Sequence, residues 1–434
     1  MAFKASCNDL ARLDVHDEIR DGTGFRVWQM LRGVSYSVLA NVAGLLGPLV
    51  TMPYVLRVLG PGAYGLAVYA SIISTWITSV LVLGLSGYCA RQYSRSVISG
   101  AGCGDRELSS LVSLQIVMAI AATVLHAVVI SLVIERGSGT IFWIYLAVTA
   151  FSCLNVDWFF YVTDRMDVFF WRTLVLRLAA LAALFVFVKT KEDVTVYAGI
   201  SAVFVVLPNL VSFIFVFRRH PLSFDRHAYK RIGGARYFLT NATIGSVYQF
   251  ADQFLMGMLS TKENLSYLNV CKQIMGIANM VVASASRALM PRAVDAFAHG
   301  KGSVWIRKMT PACGAAVVAA TLGMWLLGAP LVRLLAGPKF EPASEHMALL
   351  AAIFAVTAVA VYIDTQISIP LNCERFTTVS NSFVAIVSIV MLLALFQKLG
   401  FVSALVGLLV GETIGVSVML YLHKGRSGLS MVKQ

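Results

Sequence analysis

The chain has 434 residues, 13% of them charged and 58% hydrophobic, with a formal net charge of +13. A soluble domain is about a quarter charged, so this composition excludes a globular soluble protein and leaves an integral membrane protein. Residues 1–26 mix both charge signs and lack the apolar core of a cleavable secretory signal, so insertion falls to the first span.

A span needs about 20 apolar residues, at 1.5 Å rise each, to cross a ~30 Å hydrocarbon core. By that measure about twelve follow one another, at 33–56, 64–87, 109–134, 141–162, 173–188, 194–217, 237–259, 266–289, 310–335, 346–370, 377–397 and 400–422. The expected fold is an all-α polytopic membrane protein with about twelve transmembrane helices in two six-helix bundles. Residues 1–32 form an N-terminal segment, 33–217 the first bundle, 218–236 a basic linker, 237–423 the second bundle and 424–434 a tail. Pro48, Pro53, Pro208 and Pro370 each remove a backbone donor and bend or end a helix, while Gly44, Gly47, Gly84 and Gly87 allow close helix approach.

Lys and Arg concentrate on the cytoplasmic side of a membrane protein. With the N-terminus inside, about 24 of them fall on that side against about 8 on the other, which places both termini in the cytoplasm. The positive charge is then topological in the main, and nucleic acid is not an expected partner because no soluble domain exists to bind it. The loops are short, the longest being 218–236 and 291–309, which argues against a membrane polymerase, ligase or glycosyltransferase with a catalytic domain. The seven cysteines and seven histidines are scattered without metal-ligand spacing, so neither a metal nor another cofactor is expected. The two halves open with similar patterns around Asn41 and Asn241, as internal repeats do in transporters.

A charge at a span centre costs about 2.5–3.5 kcal/mol on insertion scales. This chain places His126, Asp157, Arg177, Asp252, Lys272, Arg287, Asp364 and Glu412 within spans. A hydrated cavity between two bundles accommodates several such groups at once. Arg177 and Arg287 lie near span ends, where snorkelling is the competing account. Asp157 and Asp364 could hydrogen-bond locally, and Glu412, between Gly411 and Gly415, could mark close packing. Asp252 and Lys272 lie mid-span on consecutive helices. They are either a structural salt bridge or an anion-binding ammonium with a carboxylate that balances it or takes up a proton.

Four stretches carry a family resemblance. "PYVLRVLGPGAYG" (53–65), "NVDWFFYVTDRMDVFFWRTLVLR" (155–177), "ADQFLMGMLS" followed by Tyr267, and "RALMPRAV" (287–294) resemble, in order and spacing, segments of the bacterial polysaccharide flippases, the Wzx-type O-antigen and exopolysaccharide transporters. "LNCERF" (371–376) matches a short polar turn of that family. Val162, Asp164 and Gln253 depart from its usual glycine, glutamate and basic residue.

The resemblance covers about residues 30–425 and implies a MATE-like member of the multidrug/oligosaccharidyl-lipid/polysaccharide (MOP) exporter superfamily. It implies ion-coupled alternating access that carries an undecaprenyl-diphosphate-linked oligosaccharide from the cytoplasmic to the periplasmic leaflet of the bacterial inner membrane. The partners are that lipid-linked glycan, membrane lipid and other polysaccharide assembly proteins, and no bond is made or broken. Lys272 is then the first candidate for the phosphates, with Arg287, Arg32 and Arg57 behind it. Asp252 is the first candidate for ion coupling, followed by Asp157, Asp364 and Glu412. A cation-coupled drug exporter or a peptidoglycan-precursor flippase of the same superfamily is the alternative.

Overall fold

The computed structural model describes the backbone of residues 23–98, 104–133 and 139–431, and the side chains of 50–98, 104–132 and 139–424. Among the described residues every regular element is helical. In chain order the α-helices are α1 Thr23–Leu81, α2 Ser86–Ile98, α3 Gly104–Val133, α4 Gly139–Ala150, α5 Asp157–Val162, α6 Met166–Phe187 and α7 Val194–Phe217. There follow α8 Ile232–Leu259, α9 Lys262–Ala298, α10 Gly302–Ala336, α11 Glu341–Ser344, α12 Met347–Ile363, α13 Glu374–Leu399 and α14 Val402–Met431.

Among the described residues ten helical stretches are long and apolar enough to cross a membrane by length and composition, and the chain is a multi-pass membrane protein. The difference from the expected twelve arises at two places. At the first, the stretch Val50–Ile98 of 49 residues takes in the expected span 64–87, while most of the expected span 33–56 lies outside the residues whose side chains are described. The break comes at Gly60, with φ 72° and ψ 175°, a left-handed backbone that glycine adopts without a Cβ penalty. Pro61 then opens the next helix, where its missing N–H leaves no bond unmade. The second place is α8, whose Tyr248, Gln249, Asp252 and Gln253 dilute an otherwise apolar helix. The fifth expected span, 173–188, is longer than its hydropathy indicated. It begins at Met166, with Asp167 in the first turn, after a turn in which Asp164 takes φ 52°.

The chain forms two compact units. The first contains residues 77–186 and 198–240. Its core is rich in aromatic rings: Tyr93 stands edge-on to Trp158 at 5.8 Å, and Phe159 and Phe160 pack nearby. The expected linker at 218–236 is tied to α3. The Ser109 hydroxyl donates to the Pro221 carbonyl, the Ser110 hydroxyl to the Asp225 carboxylate at 2.6 Å, and the Asp225 N–H to the Ser113 hydroxyl. Arg231 grips both oxygens of Glu107 at 2.6 and 2.8 Å. The hydrogen bonds from the Ser110 hydroxyl and the His227 N–H hold the Asp225 carboxyl below the usual carboxylate range, and the bond to Glu107 raises the Arg231 guanidinium further.

The second unit contains residues 51–76, 187–197 and the chain from 241 onward. Residues 64–69 pack onto α8 and α9. The Tyr69 ring lies on Gly257, the Lys262 ammonium sits 4.3 Å over that ring, and Lys262 Nζ donates to the Gly257 carbonyl at 2.7 Å. Gly65 meets the Lys262 carbonyl directly. After α12 the helix widens into one π-helical turn, Asp364–Ser368. Four of its side chains reach four different helices. Asp364 accepts from Thr377 of α13, Thr365 bonds Ser286 of α9, Gln366 accepts from Trp305 of α10, and Ser368 bonds His423 of α14.

Candidate functional site

Helical spacing of 3.6 residues per turn places Tyr248, Gln249, Asp252 and Gln253 along one side of α8, and Asn269, Lys272 and Gln273 along one side of α9. The structure brings these stripes together in the second unit. Lys272 Nζ donates to Asp252 Oδ1 at 2.8 Å, to Oδ2 at 3.0 Å and to the Gln249 carbonyl at 2.7 Å. Both groups are largely withdrawn from solvent, the lysine side chain 14% exposed and the aspartate 8%. The Gln253 N–H donates to Asp252 Oδ1.

An amide network continues from the pair. Asn269 Nδ2 donates to Gln253 Oε1 at 2.9 Å, and Asn269 Oδ1 accepts from Gln273 at 2.8 Å and from the Tyr64 hydroxyl at 3.0 Å. Gln273 also donates to the Tyr64 oxygen. On the other side the Tyr248 hydroxyl donates to buried Glu412 at 2.5 Å. Tyr248 and Asp252 are one turn apart on α8, so two carboxylates are held near each other there, Asp252 by Lys272 and Glu412 by Tyr248.

Of the expected site residues, Asp252, Lys272 and Glu412 come together here. Arg57 is exposed and donates to the Leu334 carbonyl, and Arg287 is exposed on α9. Asp364 is bound by Thr377 in the π-turn. Asp157 lies in the first unit, where Arg172 donates to it at 2.7 Å. Arg172 also donates to the Pro208 carbonyl and Ser212, and stacks 4.7 Å from the Phe169 ring. The Arg32 side chain lies outside the described residues.

The sequence reading missed Arg172, Tyr248, Asn269, Gln273 and Tyr64. The i, i+3, i+4 spacing of Asn269, Lys272 and Gln273 was the available signal for two of them.

The Asp157 arrangement gives a direct expectation. Arg172 is only 6% exposed, so Asp157→Asn strands a buried guanidinium and lowers stability by about 3–5 kcal/mol. Adding Arg172→Met restores the thermal midpoint in detergent. A stable Asp157→Asn protein that no longer transports would instead make Asp157 an ion-coupling group.

A family model described as "Polysaccharide biosynthesis protein" matches residues 30–297. The chain belongs to that family. The "Putative O-antigen transporter" of Escherichia coli (strain K12) is 21% identical over 405 residues, covering 90% of this chain and 95% of that protein. Among solved structures, a lipid II flippase MurJ in an inward closed conformation superposes with a TM-score of 0.71 at 12% identity, covering 91% of this chain and 87% of that one. An inward-facing multidrug resistance MATE family transporter of the MOP superfamily gives 0.62 at 12% identity, over 89% and 95% of the two chains. The all-helical, MATE-like architecture expected from the sequence is therefore the observed one.

Three family-like segments acquire physical roles in this structure. In "PYVLRVLGPGAYG", Gly60 makes the helix break, Tyr64 joins the amide network and Gly65 provides the close approach to Lys262. Asp157 of "NVDWFF" receives Arg172, and Asp252 of "ADQF" receives Lys272.

Proposed function

We propose that this protein carries an undecaprenyl-diphosphate-linked oligosaccharide, the repeat unit of an O-antigen or exopolysaccharide, from the cytoplasmic to the periplasmic leaflet of the inner membrane. In this reading both termini are cytoplasmic and two six-helix bundles, 33–217 and 237–423, alternate in access. The observation that carries the reading is the Lys272–Asp252 pair, two buried charges on neighbouring membrane helices within an amide-lined region.

Sugar hydroxyls and a diphosphate cannot cross ~30 Å of hydrocarbon unaided, whereas a polyprenyl tail stays in lipid. Only the head group then needs the protein. An ammonium suits a phosphate as a point charge with three donors and no demand for a fixed plane. Asp252 already occupies that ammonium, so phosphate and carboxylate compete for it. Binding of the diphosphate releases the carboxylate, which a proton or Na⁺ then neutralises, and the exchange couples substrate to ion. Glu412, through Tyr248, is the next acceptor in line. Asp157 and Asp364 stand behind these two because Arg172 and Thr377 already hold them. Exposed Arg57 and Arg287, with Arg32, supply further positive charge for the head group. The process needs transfer of a molecule and no covalent step.

The test is the sidedness of undecaprenyl-linked glycan in cells lacking this protein. Accumulation on the cytoplasmic leaflet, reversed by the wild-type chain, is the expected result. An unchanged leaflet distribution with normal surface glycan would overturn the reading.

A further inference from the structure

The first unit holds a cavity of about 470 Å³ between the start of α3 and the 218–236 stretch. Small-molecule pockets run to about 300–1,000 Å³, and their lining decides what they accept. From α3 come Arg106, Glu107 and Ser110, and from the facing stretch Ser223, Phe224, Asp225 and Arg231. None of these belongs to the Lys272–Asp252 site.

The walls are held in place before any ligand arrives. Arg231 spans both oxygens of Glu107, the Ser110 hydroxyl and the His227 N–H hold Asp225, and the Ser223 N–H donates to the Ser109 hydroxyl at 3.2 Å. Such preorganisation lowers the entropic cost of binding. Two guanidiniums and two carboxylates cancel in formal charge, which disfavours a bare anion as the occupant. What remains is hydrogen-bonding capacity of both kinds. A carboxylate has room for about four bonds, and Glu107 and Asp225 each take two from these partners. Among the described residues the Arg106 guanidinium and the Ser223 hydroxyl have no partner, so both still donate. A hydroxyl is the group that donates and accepts at once. The one aromatic ring in the lining, Phe224, is 61% exposed. Its electron-rich face suits the C–H face of a sugar ring.

We infer that this cavity is a sugar site, at which the glycan of the lipid-linked oligosaccharide docks before it is carried. The inference rests on the function and orientation proposed above, in which the start of α3 and the 218–236 stretch face the cytoplasm, where the substrate begins. It adds a loading site separate from the phosphate-binding lysine. The cavity lies where α3 enters its expected span, so a head group could rest there while its polyprenyl tail stays in lipid.

The experiment titrates the purified full-length protein, in phosphatidylcholine nanodiscs, with two probes. One is the oligosaccharide released by mild acid from the lipid-linked glycan that accumulates in cells lacking this protein, and the other is inorganic pyrophosphate. Arg106→Ala is expected to bind the oligosaccharide about tenfold more weakly and Phe224→Ala about threefold to tenfold, with pyrophosphate affinity unchanged in both. Both side chains are exposed, so the thermal midpoints should match the wild type. Tyr229→Ala, also exposed and outside the lining, should leave both affinities unchanged. Weaker pyrophosphate binding by Arg106→Ala with full oligosaccharide affinity would make the cavity a phosphate site and overturn the inference. Wild-type oligosaccharide affinity in both variants, or no oligosaccharide binding by the wild type, would also overturn it while leaving the flippase reading intact. If no lipid-linked glycan accumulates in cells lacking the protein, the proposed function fails and the sugar site falls with it.

Discussion

Lys272→Met is expected to cost about 3–5 kcal/mol of stability and to abolish flipping. The substitution keeps most of the side-chain volume but strands the Asp252 carboxylate, which is 8% exposed and has one further donor, the Gln253 N–H. A stability loss alone would not separate a structural bridge from a transport site. The double variant, Lys272→Met with Asp252→Leu, makes that separation. Replacing both members of a buried pair by apolar groups is often neutral or stabilising, because the desolvation of two charges is removed along with their attraction. Its thermal midpoint in detergent should therefore return close to the wild-type value. Flipping, measured as rescue of surface glycan, should remain absent because the cation proposed to bind the phosphates is gone. Wild-type rescue by the double variant would make the pair a structural bridge and leave the head group without its principal cation.

The second large effect lies at Gly65. A Cβ at that position would stand 1.8 Å from the Lys262 carbonyl oxygen and 2.6 Å from its carbon. These are backbone atoms at the start of α9, so no side-chain rotation relieves the overlap. Overpacking costs typically 1–3 kcal/mol and more when backbone must move. Gly65→Ala is expected at or above about 3 kcal/mol, seen as a lowered thermal midpoint and reduced yield of folded protein. The displacement would also pull Tyr64 from Asn269 and Gln273, so residual protein should flip poorly. Gly199→Ala on α7 is the control. A Cβ there meets nothing within 4 Å, and alanine's better helix propensity should add about 0.5–1 kcal/mol. Equal midpoints for Gly65→Ala and wild type would show that the close approach is not a packing constraint.

The membrane helices were legible because their signal is local: a run of apolar residues of the right length betrays itself whatever it packs against. Asp252 and Lys272 were legible for the complementary reason, as charges where the surroundings make charge costly. The start of α6 was harder, since "RMDVFFWR" carries charges that depress hydropathy while Asp167 favours a helix N-terminus. Arg172 shows the limit of the same ruler. It sits where loop and span meet, so in sequence its charge reads as topology, and its bond to Asp157 depends on how α5, α6 and α7 pack. Tyr64 and Asn269 are 205 residues apart, and no spacing rule relates residues at that separation. Helical periodicity could place Asn269, Lys272 and Gln273 on one face but not name the helix that would meet them.

The π-turn at Asp364–Ser368 fixes something that greasy packing cannot. In lipid, an apolar helix face gains little by choosing a neighbouring helix over an acyl chain, so hydrophobicity leaves each rod nearly free to spin about its own axis. Hydrogen bonds are directional, and this short turn sends one to each of α9, α10, α13 and α14. The azimuth of four helices is thereby referred to a single point on the chain. The same reference governs Lys272, which rides on α9. When the turn holds, that ammonium is aimed, and if it slipped by one residue all four rods would be rephased at once.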